Sequence, residues 1–337
     1  MTEPVVDIAA LHKRVCVADG HADSLMWNRD LNKASEAGHV DFPRLREAGV
    51  KLQCFTIVTR GLPVIDGFEL FAIKQRWPAH ARKGEWNRCL FQLDRLAAFC
   101  RESDGKASIA ATSQQLEHNL ANDRISAVIG IEGGHALEGK VERIKELHER
   151  GVRFMSLSHL SNNELGGTST PLFGNKPLTQ HGRDVLDAMG EVGMLLDVAH
   201  ASPSMLPELL AHKARPFCSH AGVQGATKLW RNLTDETCRA IAQKGGVVGI
   251  IMAPQFIGGK TIEHFARHVE HAVKVMGEDG VAFGSDFDGM IPLPKGMRDV
   301  RDLPKLTEAL LTRGMPIRVI EKVLGENYRR FFNETLR

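Results

Sequence analysis

Eight short apolar runs of strand character, each ending in a polar or glycine-rich turn and followed by a stretch with helical apolar spacing, constrain this chain more than any other feature. In order they are V-C-V-A-D-G-H-A-D from Val15 to Asp23, V-K-L-Q-C-F-T-I-V from Val50, I-S-A-V-I-G-I-E ending at Glu132, and V-R-F-M-S-L-S-H ending at His159. Then come M-L-L-D-V-A-H ending at His200, P-F-C-S-H ending at His220, V-V-G-I-I-M from Val247 and V-A-F-G-S-D-F-D-G from Val281. Between them, D-F-P-R-L-R-E-A-G, the region from Asp66 to Ser103, V-E-R-I-K-E-L-H-E-R-G and I-E-H-F-A-R-H-V-E-H-A-V-K-V-M-G read as helices. From Leu303 onward the pattern is helical, interrupted at Gly314-Met315-Pro316. Strands that alternate with helices form a parallel sheet, because each crossover helix returns the next strand in the same direction. Eight such units in roughly 250 to 300 residues suit a closed barrel. The expected fold is α/β, a single (β/α)8 TIM barrel with additional helices, occupying residues 1–337 as one domain. A doubly wound open sheet is the alternative. Its first turn would need G-x-G-x-x-G to seat a pyrophosphate, and D-G-H-A-D lacks it.

Composition narrows the function. Lys and Arg number 43 against 41 Asp and Glu, and no basic cluster recurs, which disfavours nucleic acid as a partner and favours a small-molecule substrate. The opening M-T-E-P-V-V-D-I-A-A has no basic region followed by an apolar one, and no apolar run approaches the length of a membrane span. Six cysteines show no C-x-x-C spacing, and Cys16, Cys54 and Cys218 sit inside apolar runs. Buried reduced thiols and a cytoplasmic location are expected, with no membrane partner.

In a (β/α)8 barrel the C-terminal ends of all the strands share one face. The residues gathered there would be His21 and Asp23, Glu132, His159, His200, His220 and Asp286. On an extended chain residues two apart point the same way, so His21 and Asp23 can converge on one cation. A single histidine after a strand is more often a satisfied structural side chain than a ligand. Recurrence at successive strand ends outweighs that. His21, His200 and His220 with Asp23 and Glu132 offer nitrogen and oxygen ligands suited to zinc or a similar divalent ion. Five ligands exceed what one open catalytic zinc needs. The expectation is two metals sharing Glu132, with His21 and Asp23 on one and His200 and His220 on the other.

Other candidates are set aside. His264, His268 and His271 share a helical face, but neighbouring Arg267 and Lys274 point to a solvated one. His135 stays unassigned. Asp286 is preferred to Asp288 as the catalytic aspartate because it lies nearer the apolar run.

The ordered motifs D-G-H-x-D at 19–23, I-E-G-G-H-A-L at 131–137, L-S-H at 157–159, L-L-D-V-A-H at 195–200, S-H at 219–220, R-N-L-T-D-E at 231–236 and G-S-D-F-D-G at 284–289 resemble the membrane (renal) dipeptidase family, peptidase family M19 of the amidohydrolase superfamily. The resemblance implies a barrel with a binuclear zinc centre, two Zn2+ in all. It also implies that His159 contacts the scissile carbonyl and that Arg231 binds the terminal carboxylate, for which Arg's planar fork is suited. Related dipeptidases suggest a homodimer. The chain departs from the family at Ala22, where Asn is frequent, at Ser24-Leu25 in place of Leu-Pro, and in the 160–171 loop. All of these departures are expected on the substrate side.

The activity expected is hydrolysis of dipeptides, L-Xaa-D-Xaa included, by a metal-bridged hydroxide, with Asp286 as acid and base. The rivals are another metal-dependent amidohydrolase, acting on N-acyl amino acids, lactones or cyclic amides, and a non-catalytic metal-binding barrel. Retention of Asp286 beside five ligands disfavours the last, since a structural site needs no general base.

Overall fold

The computed structural model describes residues 6–61 and 67–337. Residues 1–5 of the opening segment read for a leader, and Asp66 at the start of the second helical region, lie outside the described residues. Among the described residues nine parallel-paired strands form the sheet: β1 (Val17–Ala22), β2 (Val50–Val58), β3 (Ala107–Ile109), β4 (Ile125–Glu132), β5 (Val152–Ser156), β6 (Leu195–Asp197), β7 (Pro216–Ala221), β8 (Val248–Ile250) and β9 (Val281–Phe283). Eight follow the order β1-β2-β4-β5-β6-β7-β8-β9, one for each apolar run in the sequence. β3 stands off this path, pairing with the first half of β4 from Ala107↔Ile125 to Ile109↔Ala127. Three residues, A-S-I, are too few to display a two-residue period, so β3 is absent from the sequence reading. The helices Ile8–Arg14 and Ser113–Ala121 were also not anticipated.

β1 and β9 bring the ends of the sheet together, making a nearly closed barrel. No regular ladder joins them. One parallel bridge pairs Ala22 with Phe287, and the Asp23 N–H donates to the Phe287 carbonyl at 2.9 Å. Deeper in, the Asp19 carboxylate accepts from the Ser285 N–H at 2.8 Å and the Ser285 hydroxyl at 2.7 Å. A buried carboxylate thus replaces the missing ladder bonds at the seam.

The barrel's interior is filled from its N-terminal end. Ala18, Leu52, Val128, Phe154, Leu195, Phe217 and Ala282, one from each of seven strands, form a cluster with Tyr328, Phe331 and Phe332 of the last helix, Asn327–Thr335. Burying each phenylalanine contributes about 1.5–3 kcal/mol. The Tyr328 hydroxyl reaches the Ser219 carbonyl at 3.2 Å, and a Cβ at Gly20 would lie 2.0 Å from that hydroxyl, so only glycine fits there. The plug closes one end and leaves the other for chemistry. A larger apolar cluster packs the helices onto the outer face of the strands.

Trp77 and Phe91, rings 4.8 Å apart, pack beside Met26 and the end of β2 at Val58, whereas Trp86 lies under Arg143 with the guanidinium 4.4 Å from its ring. All six cysteines are free thiols, and all but Cys100 are fully buried. No helix among the described residues is long and apolar enough to cross a membrane.

Candidate metal centre and substrate pocket

Glu132, the last residue of β4, is the hub of the site. Its Oε1 lies 3.0 Å from His200 Nε2, 3.4 Å from His220 Nε2 and 3.5 Å from His21 Nε2; Oε2 lies 3.3 Å from His159 Nε2. His21 Nε2 is 3.4 Å from Asp23 Oδ1, and the Nε2 atoms of His200 and His220 face each other at 3.0 Å. Ligand atoms of His21, Asp23 and Glu132 lie within 4.8 Å of one another, as do those of Glu132, His200 and His220. These are the two sets expected from the sequence, sharing Glu132. A third set, His21, His220 and Asp286, meets the same limit, so the Asp286 carboxylate lies against the two candidate ligand sets.

The donor set fits divalent cations. Every one of these side chains is buried, and imidazole nitrogens aimed at each other and at one carboxylate are what a cation between them would satisfy. Burial, with Arg231 nearby, holds His200 and His220 well below the usual histidine range, which favours the neutral ligating form. Burial also opposes the charge on His21, but Glu132 and Asp23 outweigh it and lift that ring to about 10. Glu132 is held below its ordinary value: burial would raise it, and His159 and His21 more than reverse the effect. Asp286 goes the other way, pushed well up by burial and by Asp23 and Glu132 against the pull of His21 and Arg231.

Local backbone geometry aims two of the residues. His200 and Asp286 take left-handed φ values of 62° and 64°, a conformation costing roughly 1–2 kcal/mol for a residue with a Cβ. No sequence pattern announces it. Gly289 belongs to the same device, because a Cβ there would sit 2.0 Å from Asp286 Oδ1.

A cavity of about 260 Å³ opens beside the cluster. Asp286, His159 and Arg231 supply polar wall, and Met26, Val58, Phe68, Ile251 and Phe256 supply apolar wall. Arg231 is only 3% exposed and makes no ion pair among the described residues, so it is not a surface salt bridge. Its Nη2 donates to the His220 carbonyl at 2.9 Å, while its buried Nε has no partner. His159 Nδ1 is held by the Arg60 carbonyl at 3.0 Å, leaving Nε2 toward Glu132.

Several expectations change. Ala22 is fully buried, paired with Phe55 and Phe287, and lines no part of the cavity; residues on either side of it point inward and it points into the outer core. Of the 160–171 loop, only Leu160 reaches the cavity wall. The rest bonds partly within itself, Asn162 Oδ1 accepting from the Thr168 N–H and Asn163 Oδ1 from the Leu165 and Gly166 N–H groups, and partly to the backbone of the site, the Ser169 N–H donating to the His200 carbonyl at 2.8 Å and the Thr168 hydroxyl to the His159 carbonyl. Ser24 and Leu25 also lie off the cavity wall, so of the departures from family pattern only the loop, through Leu160, meets the pocket. The helical histidines do not share a solvated face either. His268 is buried between the Val223 N–H and Thr227, and His271 pairs with Asp235. His135 bonds Ser161 and closes the turn after β4. Thr56, whose hydroxyl donates to Asp23 Oδ1 at 2.6 Å, and the apolar wall gave no signal in the sequence, since each lies in an ordinary apolar run.

Residues 6–336 match the profile of the membrane dipeptidase family, peptidase family M19. An uncharacterized dipeptidase of Schizosaccharomyces pombe is 28% identical over 339 residues, spanning 94% of this chain and 80% of its own. A dipeptidase of Aspergillus oryzae is 26% identical, spanning 95% and 78%. Among solved structures, a metallopeptidase from Rhodobacter sphaeroides, liganded with a phosphinate mimic of L-Ala-D-Ala, shares the fold at a TM-score of 0.83 and 24% identity, covering 96% of this chain and 99% of that one. A probable dipeptidase from Pseudomonas aeruginosa does so at 0.84 and 18%, covering 98% and 97%. The chain belongs to the membrane dipeptidase family, M19, and is a peptide-bond hydrolase.

Proposed function

We propose that this protein is a zinc-dependent dipeptidase whose two cations are held by His21, Asp23 and Glu132 and by Glu132, His200 and His220. The observation that carries the reading is the convergence of two ligand sets on Glu132 at the wall of a cavity that also holds a buried guanidinium with a free N–H. Two divalent cations there would supply Lewis acidity toward a carbonyl and a nucleophile available near neutral pH.

The chain's own residues account for the rest. Asp286, beside the candidate ligand sets and open to the cavity, takes the proton of the attacking water and returns it to the leaving amine. His159 directs Nε2 to the place where the carbonyl oxygen gathers charge. Arg231 binds the substrate's terminal carboxylate through the unpaired side of its fork, limiting substrates to those whose carboxylate lies one residue beyond the cleaved bond. The dipeptide mimic bound by the Rhodobacter sphaeroides peptidase makes an L-residue followed by a D-residue a substrate type to try first.

Arg231 would hold the carboxylate of an N-acyl amino acid equally well, which is the second reading. Zinc-loaded protein assayed on L-L and L-D dipeptides, with N-acyl amino acids alongside, separates the two. Turnover of N-acyl amino acids with none of dipeptides overturns the first.

A further inference from the structure

A single hydroxyl lies beneath both ligand sets. Ser219 Oγ is 3.2 Å from His21 Nδ1 and 2.9 Å from His220 Nδ1, and it is fully buried. His21 belongs to the set with Asp23, and His220 to the set with His200. The two rings lie with centroids 3.8 Å apart, tilted at 43°, so both present Nδ1 to the same oxygen and Nε2 to Glu132.

Hydrogen-bond capacity makes this arrangement specific. A neutral imidazole that ligates through Nε2 carries its proton on Nδ1. A serine oxygen has two lone pairs and one proton. Ser219 can therefore accept from both rings at once, provided its own proton goes elsewhere. Asp197 lies next to it, its Oδ1 already accepting the Ser219 N–H at 3.0 Å and the Ala199 N–H at 2.9 Å. Asp197 is buried at the end of β6 and is neither a ligand candidate nor part of the cavity wall.

We infer that Ser219 is a positioning residue shared by the two metal sites, its oxygen accepting Nδ1–H from His21 and His220 while its hydroxyl donates a hydrogen bond to Asp197. One side chain thereby fixes the tautomer and ring angle of a ligand in each set. The two sites are coupled through a hydrogen-bonded oxygen below the cations as well as through Glu132 between them. Groups that orient ligands in this way typically contribute about 10–100-fold in metal affinity. Thr56 supplies the contrast, since its hydroxyl touches His21 and Asp23 only.

The inference rests on the two-cation reading, and its test measures zinc without any substrate. Stepwise zinc affinities of the full chain are measured by chelator competition for the wild type, Ser219→Ala and Thr56→Val. Ser219→Ala is expected to weaken both steps by about 10–100-fold, and Thr56→Val only one. Unchanged affinities in folded Ser219→Ala, or weakening of one step alone, overturn the inference. Should the alanine variant not fold, Ser219→Cys, whose thiol is a weak acceptor, is read the same way. Long-range 1H–15N spectra of the zinc-loaded wild type need no variant: both rings must show protonated Nδ1, and an unprotonated Nδ1 on either overturns the idea. A wild type that takes up no zinc would instead sink the metal reading itself, and zinc uptake without dipeptide turnover would leave Ser219's role standing.

Discussion

Arg29 binds Asp288 through a 2.5 Å contact between Nη2 and Oδ2, and this ion pair separates the duties of the two aspartates in G-S-D-F-D-G. Asp288 also receives the Ser24 hydroxyl on the same oxygen and the His39 N–H on the other. Its carboxylate is consumed in tying the segment after β1 to the segment after β9. Asp286, two residues earlier, lines the cavity.

The first prediction follows from that division. With both candidate ligand sets intact, Asp286→Asn should keep its bound metal and its melting temperature while losing about 10²–10⁴ in kcat, the usual contribution of a general acid and base. Asp288→Asn should leave Arg29 without its partner and cost about 3–5 kcal/mol of stability. Metal content, urea unfolding and steady-state kinetics on the same preparations decide it; equal rate losses at equal stability would refute the assignment.

The sequence exposed the barrel and the seven strand-end residues because both repeat: an apolar run ending in a ligand-type side chain recurs often enough to outweigh chance. What it hid lacks repetition. β3 is too short for a period, and the left-handed φ of His200 and Asp286 leaves no compositional trace. Met26, Ile251 and Phe256 look like any core residue until the barrel places them on the cavity wall. Ala22 shows the opposite error. As a departure between two ligands it drew attention to the substrate, yet strand alternation turns it away from the cavity.

Arg231→Ala should act mainly on binding. Losing a charge-assisted, bidentate contact costs about 1.5–3 kcal/mol, or roughly 10–100-fold in KM for dipeptides with a free carboxylate. Dipeptide amides should be nearly indifferent to the substitution. A comparable loss on both substrate types would mean that Arg231 serves the His220 carbonyl it contacts and not the substrate.

Removing metal should abolish turnover without unfolding the barrel, because the plug of Tyr328, Phe331 and Phe332 and the Asp19–Ser285 seam hold the sheet independently of the ligands. Chelated protein is expected to keep its far-ultraviolet circular dichroism and to regain activity on adding zinc. Activity that survives exhaustive chelation, with metal content verified as absent, would be incompatible with the mechanism.

His268 should make the acid side of the stability curve steeper. Its Nδ1 accepts the Val223 N–H at 3.0 Å, so in the neutral ring the proton sits on Nε2, facing the Thr227 hydroxyl at 3.1 Å. Protonating Nδ1 would set donor against donor. Burial, with Arg267, His271 and His264 adding to it and a backbone contact at Ile257 opposing, lowers the ring from 6.5 to about 4. A histidine with a depressed native pKa is neutral in both states above about 6.5, where its contribution is complete. As pH falls from there to about 4 the unfolded chain takes up a proton that the native state refuses, and stability is lost. At about pH 5 the loss amounts to roughly 2 kcal/mol. Other histidines titrate in the same window, so the comparison is with His268→Gln: it should be less stable than wild type at about pH 7.5, but lose about 2 kcal/mol less between there and pH 5. Parallel urea-midpoint curves for the two proteins across that range would show that His268 titrates normally in the folded state.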